Sequence, residues 1–134
     1  MTKVLIFGTF DHFHPGHHFI VTEAMKRGEM TVIVARDKNV ERIKGRRPSQ
    51  SEDERAGVIR QRFPDATVLL GDPKDFLAPV RSIQPDLILL GYDQQLPPDV
   101  TEDDLPCPVE RLAAHRPEQF KSSLRKMTGS DAGP

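Results

Sequence analysis

Residues 4–18 read VLIFGTFDHFHPGHH, an apolar run followed at once by a loop rich in histidine. An apolar run without polar alternation is typical of a strand that is covered on both faces, as in a parallel sheet. Pro15 favours the first position of a helix, which makes His14 the expected N-cap residue. The stretch therefore predicts a strand, a loop and a helix in succession, which is the repeating unit of an α/β fold.

The same alternation continues along the chain, and Ser51 and Glu54 have the spacing of a capping box. Strands are expected at residues 4–7, 32–35, 67–70, 87–90 and 108–112, helices at 15–27, 51–63 and 75–83, and a basic loop at 37–50. We expect an α/β fold: a single Rossmann-like domain with a parallel five-stranded sheet flanked by helices. This domain is expected to span residues 1–128, followed by a flexible tail at residues 129–134.

The overall charge is balanced, with 19 Lys and Arg against 20 Asp and Glu. Such a balance gives no general field for nucleic acid or an anionic membrane, so any anion must be bound locally. Cys107 is the single cysteine, which excludes an internal disulfide, and no stretch approaches the ~18 apolar residues of a membrane span. We expect a cytoplasmic protein with no nucleic-acid or membrane partner.

Three polar segments follow predicted strands: residues 8–18, residues 36–47 and residues 91–94. In an open parallel sheet, ligands bind beyond the carboxyl ends of the strands, so these segments are expected to form one site. Gly91 permits a close approach of a ligand to the backbone, and Asp93 is able to accept a hydrogen bond from a ribose hydroxyl or an exocyclic amine. A simple Asx turn is the alternative for this segment.

The histidine loop is best explained as a phosphate site. The helix start offers free N–H groups and the positive end of the helix dipole, and Gly16 lets an anion approach the backbone. His14 and His17, three residues apart, are able to reach the same bound group. A metal site and a purely structural loop are the alternatives; the metal reading is weaker because the imidazoles straddle a proline turn and lack a second ligand cluster.

A family resemblance follows from several motifs in order. GTFDHFHPGH after the first strand resembles the signature of the HxGH nucleotidyltransferases, the cytidylyltransferase-like superfamily. VARDKNVERIKGRRP (residues 34–48), EDERAGVIR (52–60) and IQPDLILLGYDQ (83–94) resemble the archaeal-type FAD synthase branch, to which glycerol-phosphate cytidylyltransferases are related. The resemblance covers about residues 3–95.

The resemblance implies transfer of a nucleotidyl group from ATP or CTP to a phosphate acceptor, with release of pyrophosphate and with Mg²⁺ carried by the triphosphate rather than by a metal site of the protein. It implies that His14, His17 and Lys44 are catalytic. The implied nucleotide-binding residues are Thr9, Phe10, Gly16, Gly91, Asp93, Ser122 and Ser123, and the implied acceptor-binding residues are Asp11 and Arg55. For Arg55, an ordinary ion pair with Glu52 or Asp53 on the helix surface is the alternative.

The sequence departs from the family near its C-terminal end, where HRPEQFKSSLRKM has Leu124 in place of a third hydroxyl residue. Three functions follow as hypotheses. The first is adenylyl transfer from ATP to FMN; the second is cytidylyl transfer from CTP to glycerol 3-phosphate or another alcohol phosphate. The third is a nucleotide-binding module with impaired catalysis, and an incomplete C-terminal cover of the sheet also favours a homodimer.

Overall fold

The structure, a computed structural model, describes residues 2–113. Its elements are β1 (Lys3–Gly8), α1 (Pro15–Arg27), β2 (Glu29–Val34), α2 (Asp37–Lys44), α3 (Glu52–Arg62), β3 (Thr67–Leu70), α4 (Leu77–Ile83), β4 (Leu87–Leu90), a 3₁₀ turn (Glu102–Asp104) and β5 (Val109–Arg111). The expected domain end at residue 128, the tail at residues 129–134, Ser122 and Ser123 lie outside the described residues. Within those residues, no helix has the length and apolar character needed to cross a membrane.

The five strands form one parallel sheet in the order β3-β2-β1-β4-β5. This order confirms the Rossmann-like fold class. β1 lies at the centre, where Val4 pairs with Met30 of β2 on one side and with Leu87 of β4 on the other. The chain order reverses on either side of β1, so the loop that follows β1 lies at the position where such sheets bind ligands.

Both faces of the sheet are covered, which explains the apolar runs in its strands. Alternate side chains of β1 enter opposite layers: Val4 and Ile6 belong to one buried cluster, and Leu5 and Phe7 to the other. The first layer is completed by α1 and α3 through Ile20, Val21, Ala24, Ala56 and Ile59, and the second by α4 through Val80. Each fully buried branched aliphatic side chain contributes about 1.5–3 kcal/mol, so the packed layers hold the strand ends rigidly.

Local signals account for the helix starts. α1 begins at Pro15 with His14 as its N-cap, and α3 begins after Ser51, whose side chain and that of Glu54 form the expected capping box. α4 begins at Leu77, two residues later than expected, because the Asp75 carboxylate accepts the Leu77 N–H at 3.0 Å and closes a turn before the helix.

The prediction of a loop over residues 37–50 is wrong for its first half, which forms α2. Gly45 ends this helix with a φ of 84°, a left-handed conformation that glycine adopts without strain, and donates its N–H to the Glu41 carbonyl at 2.8 Å. α2 contains only two apolar side chains, the buried Val40 and the exposed Ile43, which are too few to form an apolar stripe that the sequence would reveal. Lys44 is therefore the last residue of a helix and does not belong to a loop.

Candidate active site

A cleft of about 950 Å³ lies at the carboxyl edge of the sheet. It is lined by all three polar segments that follow β1, β2 and β4, together with the end of β5. Its polar lining comprises Thr9, Asp11, His14, His17, Lys44, Arg46, Arg47, Ser49, Tyr92, Asp93 and Gln94, and Gly8, Gly16 and Gly91 bring the backbone to its surface. Within residues 2–113, the residues predicted as one site are thus neighbours in space, except for Arg55.

The side chains of the two histidines at the start of α1 both accept backbone N–H groups of the first turn and so form a capping box. His14 Nδ1 accepts the Gly16 N–H at 3.1 Å, and His17 Nδ1 accepts the His14 N–H at 3.4 Å. The rings stack with centroids 3.7 Å apart and planes 19° apart. Because each Nδ1 is an acceptor, the neutral rings carry their proton on Nε2. The pair therefore offers two N–H donors beside the positive end of the helix dipole.

His17 is held neutral by its surroundings. Burial lowers its pKa to about 4, the neighbouring His14 ring acts in the same direction, and Asp11 opposes the change. The Phe10 ring meets His17 edge-on at 5.3 Å and supplies part of that apolar environment. At neutral pH, His17 thus donates a hydrogen bond without carrying a charge.

Gly16 is required by the position of the His14 ring. A Cβ on Gly16 would lie 2.9 Å from His14 Cε1, which is closer than side chains pack. The missing side chain leaves space for the ring to accept the Gly16 N–H. It also leaves the helix start open to a bulky anion.

The loop before the helix holds two residues in the left-handed region. Phe10 has a φ of 56° and is buried, and His12 has a φ of 50° with an exposed side chain. A side chain other than glycine is uncommon in this conformation and costs on the order of 1 kcal/mol, which the surroundings must offset. Burial of the Phe10 ring supplies one compensation, and hydrogen bonds to the neighbouring loop supply another.

Asp11 fastens the histidine loop to the segment before α3. Its two carboxylate oxygens accept the N–H groups of Ser49 and Gln50 at 2.8 and 3.0 Å, and Gln50 Oε1 in return accepts the His12 N–H at 2.9 Å. Partial burial acts to raise the pKa of Asp11, but these backbone donors outweigh it and the pKa lies below its ordinary value. Asp11 lines the cleft, yet both of its oxygens already have protein partners.

The structure contradicts the prediction that Arg55 contacts the acceptor. Its side chain is 0% exposed and does not line the cleft. It donates to the carbonyls of Thr9 and Gln50 at 2.8 and 3.0 Å and to Asp37 Oδ1 at 2.6 Å. The alternative of a surface ion pair with Glu52 or Asp53 is also wrong. Arg55 supports the histidine loop from behind, because a buried guanidinium needs this full set of acceptors.

Lys44 projects from the end of α2 toward the same cleft, where its Nζ lies 3.3 Å from Thr9 Oγ1. Arg46 and Arg47 line the cleft beyond it, and Arg47 also contacts Glu41 at 3.3 Å. The cleft therefore holds cationic side chains together with imidazole N–H donors. A multiply charged phosphate ligand is complementary to this arrangement.

The fourth strand ends in a tight turn that also lines the cleft. The Gln94 N–H closes the turn onto the Gly91 carbonyl at 3.2 Å, and the turn exposes the Tyr92 and Asp93 side chains. The Asp93 carboxylate has no hydrogen bond or ion pair within the described part of the chain, and it lines the cleft. It is therefore available to a ligand.

Sequence reasoning missed the residues that support the site from a distance. Asp37 and Gln50 hold Arg55, and Arg111 holds the turn after β4. Asp37 lies within the segment VARDKNVERIKGRRP, but its spacing does not mark it as a partner of Arg55, and Gln50 and Arg111 lie outside the family motifs. The one signal was the density of charge in residues 36–55, which reads equally well as a solvated surface.

The protein supplies few metal ligands at the cleft. Within residues 2–113, no group of three or more His, Cys, Asp or Glu side chains is close enough to hold a metal ion. Asp11, the carboxylate nearest the histidines, has both oxygens engaged by backbone N–H groups. The donor set therefore fits a metal that arrives with its own phosphate ligands.

The fold and the site define a nucleotide-binding α/β enzyme, and comparison with known proteins gives its family. The chain matches the Cytidylyltransferase-like family over residues 5–125 and belongs to it. It is a nucleotidyltransferase. This confirms the resemblance drawn from the HxGH motif.

Its relatives include archaeal FAD synthases. The FAD synthase of Methanosarcina barkeri is 42% identical over 106 residues, covering 78% of this chain and 75% of the relative. That of Methanocorpusculum labreanum is 37% identical over 131 residues, covering 93% and 92%. Among solved structures, the lipopolysaccharide core biosynthesis protein of Thermoplasma volcanium superposes with a TM-score of 0.74 at 29% identity, covering 87% of this chain and 99% of that one.

Proposed function

We propose that this nucleotidyltransferase transfers the adenylyl group of ATP to FMN, forming FAD and pyrophosphate. The observation that carries the proposal is the pair of imidazole donors at the start of α1, in the same cleft as the cationic end of α2. The similarity to FAD synthases over most of the chain supports ATP and FMN as the substrates.

In this reaction an oxygen of the FMN phosphate attacks the α-phosphorus of ATP. The new bond is the P–O–P link of FAD, and the bond between the α-phosphorus and the bridging oxygen to the β-phosphorus breaks. The electron pair leaves with pyrophosphate. Both reactants are anions, so catalysis depends on holding them in line and on stabilising the charge that develops. No side chain needs to act as a nucleophile.

Each proposed role follows from position. His14 and His17 donate from Nε2 to the phosphate oxygens and stabilise the transition state, while Lys44 neutralises charge on the α-phosphate or on the acceptor phosphate. The backbone of Thr9, Phe10 and Gly16 lines the phosphate path. Gly91 and Asp93 bind the nucleoside end, and Asp11 orders the loop beside the acceptor.

A magnesium ion belongs to this proposal as part of the ATP substrate. It would be coordinated mainly by phosphate oxygens and water, as Mg²⁺ commonly is at nucleotide sites. The ion reduces the repulsion between the triphosphate and the incoming phosphate.

The test is a matched screen for pyrophosphate release, with ATP or CTP as donor and FMN or glycerol 3-phosphate as acceptor. We expect release only with ATP and FMN, accompanied by FAD as the product on chromatography and abolished by EDTA until Mg²⁺ is restored. Release with CTP and glycerol 3-phosphate, but not with ATP and FMN, would make the enzyme a cytidylyltransferase. Nucleotide binding without release from any pair would support the impaired module.

A further inference from the structure

Gln94 joins two strand ends that are far apart in the sequence. Its Nε2 donates to the Phe7 carbonyl of β1 at 2.6 Å, and its Oε1 accepts the Gly91 N–H at 3.0 Å. Both ends of one amide group are used, and the side chain is part-buried. The turn at residues 91–94 is thereby fixed to the central strand of the sheet, the most rigid element available to it.

Arg111, the last residue of β5, holds the same turn from the other side. Its Nη1 lies 2.9 Å from the Gly91 carbonyl oxygen and 2.7 Å from that of Gln94, with a longer contact of 3.4 Å to that of Tyr92. Nη1 carries two hydrogens, so the Gly91 and Gln94 contacts are the principal ones. Hydrogen bonds from a charged donor are strong, so the carbonyl oxygens of Gly91 and Gln94 are firmly held by Arg111.

The groups that remain without a partner define what the turn offers to a ligand. The N–H groups of Tyr92 and Asp93 have no partner within residues 2–113, and neither has the Asp93 carboxylate. The turn thus offers a ligand two backbone N–H donors and one negatively charged acceptor, the Asp93 carboxylate. The edge of a nucleobase, where hydrogen-bond donors and acceptors lie side by side, is complementary to this set.

We propose that Gln94 and Arg111 are positioning residues for the nucleobase: they fix the turn at residues 91–94 so that its free N–H groups and Asp93 bind the edge of the base. The inference rests on the proposed function for the assignment of ATP as donor. It places binding of the base in backbone geometry, which two side chains outside the phosphate site maintain. Neither side chain is required for the chemical step itself.

The experiment compares Arg111→Ala, Arg111→Lys and Gln94→Met with the wild type. Binding of ATP and of inorganic tripolyphosphate is measured by calorimetry, and KM and kcat are measured with ATP and FMN. Tripolyphosphate has no base, so it reports on the phosphate end of the cleft alone. Arg81→Ala is the matched control, because Arg81 is an exposed arginine on α4 that pairs with Asp75 and does not line the cleft.

We expect Arg111→Ala and Gln94→Met to weaken ATP binding and raise the KM for ATP about tenfold, the effect of losing one charge-assisted or buried hydrogen bond. Tripolyphosphate binding, the KM for FMN and kcat should stay within about twofold of the wild type. Arg111→Lys should recover part of the loss, because an ammonium reaches fewer carbonyls.

Two outcomes would overturn the inference: ATP binding within twofold of the wild type in both variants, or equal weakening of ATP and tripolyphosphate. If Arg111→Ala does not fold, the binding of ATP and tripolyphosphate to Arg111→Lys and Gln94→Met tests the inference by the same two criteria. The binding data need no turnover, so they judge the inference separately from FAD synthesis. A wild type that binds ATP but forms no FAD would contradict the proposed function alone.

Discussion

At the scale of single residues, the site depends on which atoms of the two imidazoles are already occupied. Both Nδ1 atoms accept backbone N–H groups, so the helix cap and the orientation of the donors are one arrangement. A side chain that restored only the cap would leave no donor at the position of Nε2. Catalysis and helix capping therefore make different demands on the same residue.

Replacing His17 with alanine should lower turnover well over tenfold while the fold persists. The reason is loss of a preorganised donor to the transition state, which typically costs ~10²–10³ in rate. Steady-state pyrophosphate release measures the effect, and circular dichroism checks the fold. His12→Asn is the matched control, since His12 is exposed and asparagine tolerates its left-handed backbone. A His17→Ala enzyme of near-normal rate would contradict the assignment.

His17 also makes stability depend on pH. Its pKa is about 4 in the folded protein against 6.5 for the free side chain, so the unfolded chain takes up the proton first as the pH falls. The contribution of His17 to the free energy of unfolding is fully present above pH 6.5 and is lost as the pH falls from 6.5 to 4. The shift corresponds to at most about 3 kcal/mol, and solvent screening of this half-buried ring reduces it to on the order of 1 kcal/mol.

Urea unfolding at several pH values between 7.5 and 4.5 measures this dependence, with His17→Gln as the comparison. We expect the variant to lose stability less steeply as the pH falls, because glutamine does not titrate. Other groups titrate equally in both proteins, so the difference between the two curves isolates His17. Parallel curves would show that folding does not lower the pKa of His17.

At the scale of elements, Arg55 connects three segments of the chain. It projects from α3 and contacts the start of α2 through Asp37, the strand end through Thr9 and the following loop through Gln50. The strained residues Phe10 and His12 lie within the loop that these contacts hold. The elements therefore position the histidine loop through a buried cation that never touches the ligand.

Arg55→Met should destabilise the protein by about 3 kcal/mol, because it leaves the Asp37 carboxylate and two carbonyl groups without their donor. Urea unfolding at neutral pH measures the change. Arg81→Met is the control: its ion pair with Asp75 is exposed, and such pairs contribute about 0–1 kcal/mol. Equal losses of unfolding free energy in the two variants would mean that the buried contacts of Arg55 stabilise the protein no more than an exposed ion pair does.

At the scale of the whole molecule, the cleft gathers the ends of strands β1, β4 and β5 and the end of helix α2. A ligand that spans it contacts elements from both halves of the sheet. Such a ligand binds the folded state alone, so its binding energy adds to the stability of the entire fold.

Magnesium ATP at about 100 times its dissociation constant should add about 2.7 kcal/mol and raise the melting temperature by about 10 °C. Adenosine should raise the melting temperature much less, because the proposed contacts of His14, His17 and Lys44 are with the phosphates. Scanning calorimetry of the wild type and of the His14→Ala, His17→Ala double variant measures both. An undiminished shift in the double variant would mean that the triphosphate binds elsewhere.

The sequence by itself determined the features that depend on neighbours along the chain. Apolar runs located the strands, Pro15 located the start of α1, and Ser51 with Glu54 located the start of α3, because strand burial and helix capping act over a few residues. The histidine loop was also recognisable, since its ligand groups belong to one turn. α2 was missed because its two apolar residues, Val40 and Ile43, are too few to stand out among the charged residues around them.

Only the tertiary structure decided the roles of Arg55, Gln94 and Arg111. Arg55 reaches Thr9 across 46 positions of the chain, and Gln94 reaches Phe7 across 87. Whether an arginine is a surface charge or a buried support depends on which carbonyls the fold brings to it, and no local pattern records that. Proximity along the chain fixes where elements begin, whereas the partners of a buried polar group exist only once the sheet has assembled.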